Sequence, residues 1–289
     1  MKKIDSLIFD IDGTLVDVSQ SYREAIRKTA SDFMGREVSK AEVDQIKSRP
    51  GLNNDWDATY ALVSTMTTPP SFESVKDRFQ QYYLGGLINK ERLLVTATLL
   101  DKLKKTYRLG IVTGRPRAEA MLILKKLRII SFFEPAAIIC MEDTPLGKPD
   151  PSPLLLCQTR LKSKKPVYIG DSVNDELASS SAKISFIPAP ILINKLTPTI
   201  IQDQRSKQVL MLGYMTLEAF LNTLSSGWVY FWSRSRKRLW LKGETSGNRL
   251  KVYKIFFDCD QDTVLIKAKL LGNCVCHLGR KSCFKPYDY

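Results

Sequence analysis

Along the first two-thirds of this chain, short apolar runs repeatedly break off into clusters of polar residues. Ile4-Asp5-Ser6-Leu7-Ile8-Phe9 runs into Asp10-Ile11-Asp12-Gly13-Thr14, and Leu109-Gly110-Ile111-Val112 runs into Thr113-Gly114-Arg115. Ala136-Ala137-Ile138-Ile139-Cys140 is followed by Gly147-Lys148-Pro149-Asp150, and Pro166-Val167-Tyr168-Ile169-Gly170 ends in Asp171-Ser172-Val173-Asn174-Asp175. Helical patterns separate these runs, one from Thr96 to about Tyr107 and one through Met121–Leu127. Strands alternating with helices predict a parallel sheet with crossover helices. In open sheets of this kind, ligands bind at the carboxyl ends of the strands, where each polar cluster falls.

One stretch departs from the alternation. From Ser19 to about Lys90 the pattern is helical, with Ser39-Lys40-Ala41-Glu42 as a capping box and Ser71 with Glu73 opening a further amphipathic stretch. Gly51, Pro69 and Pro70 punctuate it. The segment from about 18 to 92 therefore predicts a helical insertion after the first strand, placed as a cap over the cleft. At the strand end below it, Asp10 and Asp12 suit a nucleophile paired with a general acid-base group.

The ordered set Asp-x-Asp-Gly-Thr, Thr-Gly-Arg, Gly-Lys-Pro-Asp and Gly-Asp-x-x-x-Asp resembles the haloacid-dehalogenase-like hydrolases, over residues 4 to about 188. The resemblance implies a Rossmann-like parallel sheet with a helical cap and a Mg²⁺-dependent phosphatase. By it, Asp10 takes the phosphoryl group as an aspartyl-phosphate, and Asp12 protonates the leaving oxygen and then activates water. Thr113 binds the phosphoryl oxygens, Lys148 steadies the charge, and Asp10, Asp171 and Asp175 hold Mg²⁺. The second Asp favours a phosphatase over a dehalogenase. A phosphoryl group in transfer does need cations and donors around its equatorial oxygens.

Ala182–Ile187 predicts the closing strand of a first domain spanning 1–188, and Pro188-Ala189-Pro190 predicts an interruption before a second domain spanning 189–289. There the texture becomes strand-rich, predicting a smaller, mainly-β (α+β) metal-binding domain. Gln208–Tyr214 is expected as a buried strand, and Thr216 as the cap of a short helix through Leu224. Near the end, Asp258-Cys259-Asp260-Gln261-Asp262 precedes Cys274-Val275-Cys276-His277 and Cys283. In an extended segment Asp258, Asp260 and Asp262 would share one side, where a hard cation such as Mg²⁺ relieves their repulsion. Cys259 would point the other way, to join Cys276 and Cys283 on Zn²⁺ with an open position.

Between these, Trp232-Ser233-Arg234-Ser235-Arg236-Lys237-Arg238-Leu239-Trp240 interleaves basic and aromatic residues, a pattern open to single-stranded RNA binding or to a solvated strand face. The following Gly243-Glu244-Thr245-Ser246-Gly247-Asn248, with backbone donors and hydroxyls beside arginines, suits a small phosphate-bearing molecule instead.

Val209–Met215, Trp232–Asn248, the Asp258–Asp262 segment and Cys276-His277 with Gly279-Arg280-Lys281-Ser282-Cys283 resemble phosphoribosyl-AMP cyclohydrolase, over roughly 190–289. The resemblance implies hydrolysis of the N1–C6 bond of an adenine ring by a homodimer formed through this domain, its zinc site sharing thiolates of both subunits. By it, Cys259, Cys276 and Cys283 bind Zn²⁺, and Asp258, Asp260 and Asp262 bind Mg²⁺. His277 is the candidate for proton transfer, and Arg234, Arg236 and Ser246 are candidates for phosphate contact. The segment before Cys276 is one residue longer than the family usually has, which makes Cys274 an alternative ligand.

The net charge of +14 fits nucleic acid or phosphorylated substrates alike; with the second domain assigned to a small substrate, no nucleic-acid partner is expected. The start reads as a strand rather than a signal peptide, and no apolar run approaches membrane-spanning length. Six cysteines with four between 259 and 283 fit a metal site in a reducing compartment rather than a disulfide framework, which implies the cytoplasm. Joining the two domains points to one pathway, histidine biosynthesis, with histidinol phosphate as the phosphatase substrate. Phosphoglycolate, a sugar phosphate or a damaged metabolite are the alternatives for that domain, and RNA is the alternative for the second.

Overall fold

The computed structural model describes residues 3–49, 51–52 and 54–286; the outermost residues of the two expected domains, 1–2 and 287–289, lie outside it. The chain divides into two compact units, one covering Asp5–Ala189 and the other running from Pro190, with the few described residues before Asp5 grouped with the latter.

In the first unit β1 (Ser6–Phe9) leads through the short β2 (Val16–Asp17) into four helices, α1 (Tyr22–Met34), α2 (Lys40–Lys47), α3 (Asp55–Val63) and α4 (Phe72–Leu84). The chain returns through β3 (Arg92–Leu93), which pairs antiparallel with β2, so the insertion leaves and rejoins the sheet through one two-stranded hinge. Then α5 (Ala97–Lys104), β4 (Arg108–Val112), α6 (Arg117–Lys126), β5 (Ile138–Ile139), α7 (Ser152–Arg160), β6 (Pro166–Gly170), α8 (Val173–Ser181) and β7 (Ser185–Pro188) alternate. The sheet is parallel throughout, in the order β5-β4-β1-β6-β7. Both β1 and β6 are buried along their whole length, as strands covered on both faces must be.

The helix starts follow local chemistry. Ser39 and Glu42 form the reciprocal capping box of α2, and Asn54, Ser71 and Thr96 accept backbone N–H bonds at the starts of α3, α4 and α5. The interruption expected at Pro188–Pro190 does not occur. β7 runs to Pro188 and α9 (Ala189–Ile193) follows at once, because Pro190 sits in the first helical turn, where its missing N–H costs nothing.

The second unit contains β8 (Thr197–Asp203), β9 (Val209–Met215), α10 (Leu217–Ser226), the hairpin β10 (Tyr230–Ser233) and β11 (Arg238–Leu241), and the long hairpin β12 (Arg249–Phe257) and β13 (Val264–Leu271). The order β12-β13-β8-β9 forms one mixed sheet, with β13 and β8 parallel and the other pairs antiparallel. Val264, Ile266 and Ala268 point inward at alternate positions of β13 and join Leu210, Phe220 and Phe231 in the core. Gly213 is required there, because a Cβ would lie 2.4 Å from the Phe231 ring. The stretch 208–214 is not the buried strand expected. As the edge strand, β9 leaves Val209 and Leu212 exposed. Thr216 does cap α10, accepting from the Ala219 N–H.

Candidate active sites

Strand register assembles the first site. Phe9 stands opposite Ile111 on β4 and Ile169 on β6, so the residues just beyond each strand, Asp10, Thr113 and Asp171, emerge at one sheet edge. Asp10 and Thr113 are both buried there. Lys148, only 4% exposed, reaches the same point from the loop after β5. Its Nζ lies 3.0 Å from Asp10 Oδ1 and 2.5 Å from Asp175 Oδ1, and it donates to the Tyr168 hydroxyl at 3.0 Å. Asp175 occupies the first turn of α8, where its Oδ2 accepts from the Ser172 backbone N–H and hydroxyl. Tyr168 donates to its other oxygen.

Asp10, Asp171 and Asp175 each bring a carboxylate oxygen within 4.8 Å of the others, a hard, all-oxygen donor set suited to a cation such as Mg²⁺. Their electrostatics point the same way. Burial pushes the Asp10 carboxyl well above its ordinary range; Lys148 draws it back, while Asp175, Asp12 and Asp171 push further. Asp171 is pushed up to about 7, first by desolvation and then by Asp175. It lies on the cleft side, open to solvent at the residue level, so this desolvation comes from the protein crowded around its carboxylate. Burial is the largest influence on Asp175 and raises it, but the Lys148 charge together with hydrogen bonds from Lys148, Ser172 and Tyr168 outweighs it and holds that group below its ordinary value. One lysine thus faces three acids, a deficit of positive charge that a divalent cation could fill. Gly13 lets the chain turn away without collision. Its φ is +70° and a Cβ would come 1.9 Å from Asp171 Oδ2.

Asp12 stands on the cleft side with its side chain 25% exposed, and Arg115 grips it from behind. Two cavities open beside these residues. One of about 760 Å³ is lined by Asp10, Asp12 and Asp171 below and by Arg23, Asp44 and Lys47 of the inserted helices. The other, of about 680 Å³, includes Thr113, Lys148, Asn54 and Asp57. The backbone N–H of Gly51 donates to Asn174 Oδ1 at 2.9 Å, and Asn54 Nδ2 donates to Met141 Sδ at 2.9 Å, so the cap loop touches the sheet unit directly. Sequence patterns assigned no role to Arg115, Tyr168 or Asn174, although each lies within or beside a motif that was singled out.

In the second unit, Asp258, Asp260 and Asp262 again bring carboxylate oxygens within 4.8 Å of one another, all exposed. They do so from a turn rather than the extended segment expected. Asp258 Oδ1 accepts the Thr263 N–H at 3.0 Å and its carbonyl accepts the Gln261 N–H. Gln261 takes φ 61°, so the chain reverses and Phe257 pairs with Val264.

The three expected zinc thiols are not brought together within one chain. Cys259 lies in this turn, while Cys276 and Cys283 come after β13, and the Cys283 N–H donates to the Leu210 carbonyl on β9 at 2.7 Å; the three thiols form no common cluster. Cys276 and Cys283 do interact. Backbone N–H donation from Leu278 is the first cause lowering the Cys276 thiol below its ordinary value, and Cys283 also contributes. Cys283 itself is raised, first by burial and then by Cys276. Cys274 accepts from Asn248 Nδ2 at 3.2 Å. A residue not anticipated, Lys242, is 4% exposed. Burial lowers its pKa, and the thiols Cys283, Cys274 and Cys276 counter that shift, so all three face the same ammonium.

His277 is exposed in the tight loop closed by Gly279 N–H to the Cys276 carbonyl at 3.0 Å and Cys276 N–H to the Arg280 carbonyl at 3.1 Å. Arg234 packs its guanidinium 4.2 Å over the Tyr214 ring. Arg236 is exposed in the β10–β11 turn, and Ser246 is exposed in the loop before β12.

Comparison with known proteins divides the chain at the same place as its contacts. The family model for haloacid dehalogenase-like hydrolases matches residues 7–189, and that for phosphoribosyl-AMP cyclohydrolase matches residues 211–285. A phosphoribosyl-AMP cyclohydrolase of Solibacter usitatus is 56% identical over 31% of this chain and 71% of its own length. The histidine biosynthesis bifunctional protein HisIE of Buchnera aphidicola is 60% identical over 32% of this chain, which spans 45% of that protein. A solved structure from Lactobacillus plantarum, provisionally named a phosphoglycolate phosphatase, superposes with a TM-score of 0.55 at 27% identity, covering 65% of this chain and 87% of its own.

Proposed function

Because the chain belongs to the haloacid dehalogenase-like hydrolases through residues 7–189 and to the phosphoribosyl-AMP cyclohydrolases through residues 211–285, we propose that it is a bifunctional hydrolase of histidine biosynthesis, its first unit a histidinol-phosphate phosphatase and its second a ring-opening cyclohydrolase. The observation that carries the phosphatase half is the buried Lys148 held between Asp10 and Asp175 beside Asp171. That arrangement turns one carboxylate toward the cleft as a nucleophile and lets Lys148 and Thr113 meet the phosphoryl oxygens. Asp12 protonates the leaving oxygen, then takes a proton from the attacking water. Bound Mg²⁺ would be held by Asp10, Asp171 and Asp175 and would neutralise developing phosphoryl charge.

Histidinol phosphate carries a phosphate at one end and basic nitrogens at the other. The large cavity lies on the Asp12 side of the nucleophile and mixes Arg23, Arg27 and Lys47 with Glu24 and Asp44, a lining that accommodates both signs. The kinship of the second unit to histidine-pathway enzymes supports the same choice. Phosphoglycolate is the second reading, favoured by the Lactobacillus plantarum structure. Phosphate release from the two compounds under Mg²⁺ separates them: a preference for phosphoglycolate by kcat/KM would overturn the first reading and leave the chemistry intact.

In the second unit Asp258, Asp260 and Asp262 suit Mg²⁺, and Cys276 with Cys283 supply two thiolates toward Zn²⁺. That Cys259 forms no cluster with Cys276 and Cys283 supports a homodimer in which the Cys259 of one copy completes the zinc site of the other. Zinc when bound would generate a nucleophilic water at neutral pH; His277, next to Cys276, moves the proton, and Arg234, Arg236 and Ser246 hold phosphate. All six cysteines are free thiols, in keeping with a cytoplasmic enzyme, and no helix among the described residues is long and apolar enough to cross a membrane. Ring opening, followed as loss of phosphoribosyl-AMP absorbance, should stop with a zinc chelator; persistence at full rate would remove zinc from the scheme. RNA affinity surviving that chelation would instead favour the nucleic-acid alternative.

A further inference from the structure

Behind Asp12 lies a buried network that the phosphatase chemistry above does not use. Arg115, two residues past Thr113, has its side chain 1% exposed, and Glu91 opposite it is 0% exposed. The Nε of Arg115 donates to Asp12 Oδ1 at 2.8 Å, and Nη2 reaches the same oxygen. The rest of the guanidinium faces the insertion. Nη1 donates to the Tyr83 hydroxyl at 2.9 Å and to Glu91 Oε2 at 3.2 Å, and the Tyr22 ring lies 4.5 Å beneath it. Tyr83 and Ser21 also donate to Glu91 Oε1, at 3.2 and 2.9 Å. Tyr22 and Tyr83 belong to α1 and α4 of the cap; Glu91 and Ser21 lie beside the hinge strands β2 and β3.

We propose that Arg115 is a positioning residue for the acid-base step: it fixes the Asp12 carboxylate through one oxygen, leaves the other for the leaving group, and is itself held by Glu91 and Tyr83, so that Asp12 is aimed only while the cap and its hinge are seated. Geometry favours an orienting role over a purely electrostatic one. A planar guanidinium fork fixes direction as a lysine cannot, and Glu91 shares its positive charge. Both contacts to Asp12 fall on the same oxygen. The expense of burying one cation with two acids makes little sense for stability alone at a site already packed by Tyr22 and Phe79.

This rests on the reading of Asp12 as the acid-base group, and the test separates the two. Phosphoryl transfer to the enzyme is measured in single turnovers with phenyl phosphate and p-nitrophenyl phosphate, rings of similar size whose leaving groups do and do not need a proton. Asp12→Asn should slow phenyl phosphate by about 100-fold and p-nitrophenyl phosphate far less. Arg115→Met should show the same leaving-group pattern with KM within about threefold, Arg115→Lys should fall between, and Asp12→Asn with Arg115→Met together should be no slower than Asp12→Asn alone. If Asp12→Asn slows both substrates equally, the acid-base reading fails. If it shows the pattern while a folded Arg115→Lys or Arg115→Met, checked by circular dichroism, keeps full rates or loses both substrates equally, the positioning role is overturned. Should Arg115→Met fail to fold, Arg115→Lys with Glu91→Gln decides, and full phenyl phosphate rates in both overturn it.

Discussion

At the scale of single residues, the first unit turns on side chains whose neighbours leave no room for alternatives. Gly13 is one. An alanine there would meet Asp171 Oδ2 and would have to adopt a φ of +70°, so Gly13→Ala is expected to displace Asp171 and weaken Mg²⁺ binding at least tenfold, as measured by calorimetry, at a stability cost of about 1 kcal/mol. Asp5 shows how a carboxylate at the entry to β1 can carry pH dependence. Its oxygens accept from Ser163 Oγ and from the backbone N–H groups of Lys164 and Lys165. Burial alone would raise this carboxyl, but these donors prevail and hold it below its ordinary value. A depressed folded pKa adds stability above the unfolded value of about 3.9 and loses it as pH falls through the folded value. Asp5→Asn should therefore lower the unfolding free energy by about 1 kcal/mol at neutral pH, and the difference from the natural chain should vanish in acid. A constant difference across that range, measured by urea titration, would rule the linkage out.

At the scale of elements, the register of three parallel strands and the hinge of the cap decide what the side chains can do. Asp10, Thr113 and Asp171 meet because β1 lies between β4 and β6. The helices of the cap, by contrast, are held by local chemistry as well as packing. The Ser39 hydroxyl accepts the Glu42 N–H, and the Glu42 carboxylate accepts the Ser39 N–H in return. Ser39→Ala should cost about 1 kcal/mol and lower the melting temperature by a few degrees without changing phosphatase kcat, since α2 contributes only to the wall of the cavity. A large kcat loss would mean that α2 takes part in catalysis through its position. Cap and sheet also touch through Gln80, which donates to Glu119 Oε1 at 2.6 Å; Gln80→Leu should raise KM more than it lowers kcat if the cap serves substrate retention.

At the scale of the whole chain, two units with separate candidate sites imply two activities that separate cleanly. Asp10→Asn should abolish phosphate release, by more than about 1,000-fold, while ring opening by the second unit continues unchanged. The proposed dimer makes a sharper statement. Cys259→Ser and Cys283→Ser should each be inactive in ring opening. Mixed in equal amounts after dissociation, they should recover about a quarter of the natural activity, because half the dimers are mixed and each mixed dimer has one intact composite site. Recovery of nothing, with exchange confirmed by mass spectrometry, would place all zinc ligands within one chain.

Much of this was legible from residue order. The alternation of strand and helix, the insertion after β1, the cap of Ser39 and the acids at strand ends depend on local spacing and on short-range steric and capping preferences, which the residues carry wherever the chain goes. So do the motifs joining Asp10, Lys148 and Asp171 to one chemistry and the thiols to another. Tertiary structure alone decided which oxygen meets which donor. It turned Asp258–Asp262 into a reversal instead of a strand, left Cys259 outside any cluster with Cys276 and Cys283, and set Lys242 among the thiols. It also buried Arg115 between Asp12 and Glu91. These contacts join residues far apart in the chain, and a charge is buried only where folding happens to gather its partners. No period or motif encodes that coincidence, and the energy of a buried ion depends on all of its neighbours at once.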